Sequence, residues 1–96
     1  MAYDPGAIDA TLAAALGDDP LLIAELRMAF VESVQRALAT LATADEPVTW
    51  TEAAQRIKGL AASFGAVRLM ALADTAARGE RDPEMLAKMQ RLVARL

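Results

Sequence analysis

Ninety-six residues at a net charge of −3, with neither Cys nor His, leave room for one domain and remove much of the usual chemistry. Disulfide scaffolds, Cys/His zinc sites, thiol nucleophiles, Ser-His-Asp triads and phosphohistidine are all excluded. Hydrophobic residues make up 55% of the chain but aromatics only 4%, so the core must be aliphatic and small. That favours an all-α fold over a sandwich or barrel.

Helix signals recur in chain order. Asp4-Pro5 opens a short helix over 5–16, with Gly17 as its left-handed terminator. Asp19 as N-cap and Pro20 at the first helical position then start a long helix over 20–43. Its apolar positions Ile23, Leu26, Phe30, Val34, Leu38 and Leu41 step by three or four residues, the helical period. Asp45-Glu46-Pro47 breaks the pattern. Thr49-Trp50-Thr51-Glu52 reads as a capping box opening a helix over 50–64 that ends at Gly65. This helix buries Ala53 or Ala54, Ile57, Leu60 or Ala61, and Phe64, with Trp50 as a core or bundle-end plug.

The next helix spans 66–78, with Leu69, Met70, Ala73, Ala76 and Ala77 on one face. Asp82-Pro83 repeats the cap-and-proline start of a last helix over 83–95, lined by Met85, Met89, Leu92, Val93 and Leu96. Short connections between helices of this length predict antiparallel neighbours. The expected architecture is an up-down four-helix bundle with a short extra N-terminal helix, occupying 1–96 as one domain. No inward Glu/His set is available for a di-metal centre, so no metal or cofactor is expected.

Charge is unevenly distributed. Residues 1–50 hold two basic and eight acidic side chains, while residues 51–96 hold eight basic and five acidic ones. The whole chain is therefore no nucleic-acid binder by electrostatics, and an acidic partner should meet the second half. Arg91 and Arg95 are most simply partners of a helix C-terminus and solubilising charge. No signal peptide or apolar span is indicated, and a cytoplasmic monomer is the expectation.

One segment departs from generic bundle design: Ala54-Gln55-Arg56-Ile57-Lys58-Gly59-Leu60-Ala61-Ala62-Ser63-Phe64-Gly65-Ala66. Gly59 lies mid-helix, where it costs ~1 kcal/mol against Ala. With Ile57, Leu60, Ala61 and Phe64 inward, helical geometry puts Gln55, Lys58, Gly59 and Ala62 on the outer face. An amide and an ammonium thus stand over a patch of glycine and alanine that another protein can approach closely.

This segment resembles the signature of histidine phosphotransfer (HPt) domains, which relay phosphoryl groups in two-component signalling. The family motif Ala-His-x-Leu-Lys-Gly-x-Ala-x-x-x-Gly-Ala-x-x-Leu is matched from Ala54 to Leu69, and the likeness extends over about residues 20–80. The resemblance implies a bundle that docks on a response-regulator receiver domain or a histidine kinase. It also implies that Lys58 and Gly59 flank the phosphoacceptor, with Arg56 and Ala62 at the docking face and Arg68 assisting there. The departure falls on the acceptor itself, because Gln55 stands where the family has His. An amide nitrogen is deactivated by resonance and is no substitute for a neutral imidazole. Gln55 keeps reach and hydrogen bonding, so the resemblance implies a partner-binding module that is not an enzyme. Two alternatives remain open: a phosphotransfer protein whose acceptor has been exchanged for Gln, and a helical interaction bundle unrelated to phosphorelay.

Overall fold

The computed structural model describes residues 5–17 and 19–96, with side chains from Ile8 onward. Asp4 and Asp18, which belong to the expected helix starts, lie outside the described residues. Five helices follow in order: α1 (Pro5–Leu16), α2 (Pro20–Thr43), α3 (Pro47–Ser63), α4 (Val67–Arg78) and α5 (Pro83–Val93). There is no strand among the described residues, so the all-α expectation holds.

Local chemistry accounts for most boundaries. Asp19 is extended and its carboxylate accepts from the Leu22 amide at 3.2 Å, while Pro20 supplies a first residue that needs no amide partner. Asp82 does the same for α5, accepting from Glu84 N at 2.9 Å and Met85 N at 3.4 Å. Gly17 closes α1 at φ 78°. Gly65 closes α3 at φ 72°, where a Schellman pair forms: Ala66 N donates to Ala61 O and Gly65 N to Ala62 O. A side chain at either glycine would be strained, since L-residues rarely adopt that backbone region.

The Thr49–Glu52 capping box does not form. Helix α3 starts three residues earlier, at Pro47, with Glu46 extended before it and no side-chain cap. The reason is the proline: it disfavours helical geometry at Glu46 and is itself preset for the first helical turn. Trp50 N then donates to Glu46 O at 3.1 Å, so Thr49 already lies inside the helix. Smaller shifts occur elsewhere. Ala66 is spent on the Schellman pair, so α4 begins at Val67, and α5 ends at Val93 with a turn beyond it.

Helix α2 packs against α1, α3 and α5, and α4 packs against α3 and α5. The core is built from Phe30, Val34, Leu38 and Leu41 of α2, Trp50 and Ile57 of α3, Leu69 of α4, and Met89, Leu92 and Val93 of α5. Both Ala53 and Ala54 are buried, as is Ala61, whereas Ile23, Leu26, Leu60, Phe64 and Met70 pack half-buried at its margin. Phe30 and Phe64 stack with centroids 4.5 Å apart. Buried alanines on α3 and α4 (Ala53, Ala54, Ala61, Ala73, Ala76) let the two helices approach closely. Apolar burial of this kind supplies most of the folding free energy, and no polar side chain is buried among the described residues.

Polar ties also cross between elements. The Trp50 indole, 1% exposed, donates to Ala76 O at 2.8 Å and joins the start of α3 to the end of α4. Arg81 donates to Ala44 O and, at 3.3 Å, to Ala42 O, securing the α4–α5 loop on the C-terminal end of α2. Arg27 pairs with Asp9 at 2.8 Å and donates to Leu96 O at 2.9 Å, linking α1, α2 and the segment after α5. No helix among the described residues is long and apolar enough to cross a membrane.

Candidate functional site

The α3 segment that stood apart in the sequence forms an exposed face. Gln55, Arg56, Lys58, Gly59 and Ala62 are all solvent-exposed, while Ala54, Ile57 and Ala61 on the opposite side are fully buried. The helical period therefore resolves the two sides as expected. Gln55, Gly59 and Ala62 follow at four and three residues along one line, with Gln55 at its N-terminal end. The Gln55 amide has no hydrogen-bond partner among the described residues.

Gly59 leaves real space. A methyl group built at its Cα would meet nothing within 4 Å. No internal packing demand explains a glycine here, although it lowers helix propensity. Its carbonyl is engaged, accepting from Ser63 Oγ at 3.0 Å, a bond that fastens the last turn of α3 to this face.

The two cations lie on opposite flanks of the line. Arg56 turns toward α2, where it shares a shallow cleft with Arg36, Thr40, Thr49 and Glu52. Lys58 turns toward α4, where its Nζ lies 2.8 Å from Asp74 Oδ1. Asp74 Oδ2 in turn accepts from Arg78 Nη2 at 2.9 Å, one turn further along α4. The hydrogen bond from Lys58 holds the Asp74 carboxyl below its usual range; desolvation opposes that, and the Arg78 charge lowers it further.

Sequence reasoning placed Lys58 on the face but not its partner. Asp74 is sixteen residues away, and only the packing of α3 on α4 brings it within reach. The Asp74–Arg78 pair at i, i+4 was available in the sequence as a sign that this carboxylate is structured. Glu52 is a further acidic neighbour that the motif did not signal. Arg68 is not part of the face: it opens α4 and lines a cleft with α5 residues.

The chemistry open to this face is recognition. Gln55 can donate and accept hydrogen bonds, Lys58 and Arg56 supply positive charge, and Gly59 and Ala62 let a partner's backbone or side chains sit close. No group of three or more acidic, His or Cys side chains able to hold a metal exists among the described residues. Comparison of the chain with family models, curated proteins and solved structures finds no match.

Proposed function

We propose that this chain is an HPt-like binding module that docks on a receiver domain, or on a histidine kinase, and modulates phosphorelay signalling without accepting phosphate. On this reading α2 to α5 form an antiparallel up-down four-helix bundle, with α1 as the extra helix, acting as a cytoplasmic monomer. The order of the ties is what an antiparallel α3–α4 pair would give: the Gly65 turn, then Lys58 with Asp74, then Trp50 with Ala76.

The observation that carries the proposal is the open line of Gln55, Gly59 and Ala62, bordered by cations, with nothing near the Gly59 Cα. A receiver phosphorylation site is a concave cluster of carboxylates around a bound Mg²⁺. A flat helix surface with a projecting amide and flanking positive charge complements it. Gln55 would reach toward the aspartyl group and hydrogen-bond it, and lacking a nucleophilic nitrogen it would leave the phosphoryl group where it is. Occupancy then regulates, by excluding other partners or by preferring one receiver conformation. Transient interfaces of this size bind in the micromolar range, roughly −8 kcal/mol.

A second reading draws support from the Lys58–Asp74 ion pair: a lysine engaged within the molecule suits a solvated structural face on an unrelated interaction bundle. One titration separates the two. Labelled protein is titrated with receiver domains, with and without a phosphate mimic, and amide shifts are followed. Shifts centred on Gln55, Lys58, Gly59 and Ala62 that disappear in Lys58→Glu support the module. Shifts on another face, or an unchanged affinity in Lys58→Glu, refute it.

A further inference from the structure

A cleft of about 280 Å³ between α4 and α5 is lined by Arg68, Leu72, Lys88, Arg91, Leu92 and Arg95. Arg68 and Leu72 lie one turn apart on α4. Lys88 and Arg91 follow on α5, and Arg95 lies in the turn that closes it. All four cations are exposed, no carboxylate lines the cleft, and none of the four forms an ion pair among the described residues. Leu92 is buried and Leu72 half-buried, so the cleft has an apolar floor between cationic walls.

Fold stability does not explain this grouping. The dipole of α5 suits Arg91 and Arg95 at its negative end. Arg68 is the second residue of α4, at the positive end of that dipole, where a cation is unfavourable. It is then set beside three more positive charges, with no acidic side chain to offset them, in a molecule whose net charge is −3.

We propose that the α4–α5 cleft is a docking site for an acidic amphipathic polypeptide segment. Carboxylates of the segment pair with Arg68, Lys88, Arg91 and Arg95, and its apolar side chains rest on Leu72 and Leu92. Lys88 to Arg95 spans about 10 Å of helix, which matches carboxylates at i, i+3 or i+4, and i+7 of a partner helix. Three of the four cations are arginines, whose planar forks bind carboxylates in two-point fashion.

Other anions fit less well. The cleft is open and shallow and has no uncharged polar side chain to orient a small phosphorylated ligand, which binds best in an enclosing pocket. A nucleic acid needs a longer basic track than this one cleft supplies, on a molecule whose net charge is −3. The site is also independent of the Gln55 face. Arg68 and Asp74 are six positions apart on α4, so they project about 120° apart around the helix, one toward α5 and the other toward α3.

The test uses the intact chain, isotopically labelled, and a short synthetic helical peptide with Glu and Leu spaced at i, i+3, i+4 and i+7. The expected result is saturable binding at low salt, with shifts confined to residues around Arg68, Leu72, Lys88, Arg91 and Arg95. Affinity should fall about tenfold or more in Arg68→Gln/Arg91→Gln and weaken as salt rises. Lys58→Glu should leave it unchanged, which separates this site from the receiver-docking proposal. The exchanged residues are exposed, so the double variant should keep the parent circular dichroism spectrum and melting profile. No peptide binding, equal binding of a scrambled peptide, or binding of triphosphate or a single-stranded oligonucleotide in place of the peptide would each overturn the proposal. So would salt-sensitive self-association of the chain through this cleft.

Discussion

Exchanging Trp50 for Phe probes the tie that sets α3 against α4. The indole is 1% exposed and its Nε1–H donates to Ala76 O at 2.8 Å. Phenylalanine removes that bond, a loss of about 1 kcal/mol net. The Ala76 carbonyl keeps one partner, the Gly79 amide at 3.3 Å, so the larger penalty of an orphaned acceptor does not apply. The smaller ring also leaves a void of about 40 Å³, worth about 1 kcal/mol at the usual cavity coefficient. Trp50→Phe should therefore destabilise the chain by about 2 kcal/mol, lowering the melting temperature by roughly 8–16 °C for a domain of this size. Urea unfolding followed by circular dichroism measures it directly, with the slope expected to stay at the parent value. A loss below about 0.5 kcal/mol would refute the assignment of Trp50 as the α3–α4 anchor.

Gly59→Ala should stabilise the chain by about 0.5–1 kcal/mol in the same unfolding assay, because the new methyl meets nothing within 4 Å; destabilisation would mean the space is not free. Gly59→Gln should fold equally well yet block receiver docking, and undiminished binding would remove this face from the interface. Asp74 gives the pH prediction. Its carboxyl is held below the ordinary range by Lys58 and Arg78, so its stabilising contribution is complete above about pH 4 and is lost as pH falls through the lowered value. Acid melts of Asp74→Asn should lack that component, and parallel curves for the two proteins would refute it. Gln55→His should take up phosphoryl groups from a phosphorylated receiver, and a folded variant that takes up none from any receiver it binds would show that reach alone is insufficient.

Most helix starts were legible because they depend on neighbours in sequence. Asp19-Pro20 and Asp82-Pro83 each combine a carboxylate that caps amides two or three residues on with a proline that needs no amide partner. Gly17 and Gly65 adopt the left-handed backbone that their positions after apolar helices imply. The capping box failed in the same local terms, since two start signals lay two residues apart and the proline at 47 prevailed over the hydroxyl at 49. The face around Gln55 was legible from helical period alone. What the sequence hides is placement across helices: Asp74 at Lys58, Arg81 on the end of α2, and Arg68 beside Lys88, Arg91 and Arg95. Each of these depends on how two helices are rotated against one another, which periodicity constrains only loosely.

The ion pair between Lys58 and Asp74 bears on how the proposed docking would work. An acidic partner cannot meet Lys58 as a free cation, because a carboxylate already lies 2.8 Å from its Nζ. The ammonium has three protons, and only one of its partners is fixed within the molecule, so a second carboxylate can be accommodated without breaking the first bond. Asp74 then holds the lysine in a defined direction, which lowers the ordering cost of binding while reducing the net positive charge the partner senses. The two effects oppose one another, and Asp74→Asn distinguishes them. If charge dominates, the variant binds a receiver more tightly and with a steeper salt dependence; if orientation dominates, it binds more weakly at every salt concentration. Arg78 is the built-in control: it shares Asp74 but is far more exposed, so Arg78→Gln should change the salt dependence less than Asp74→Asn does.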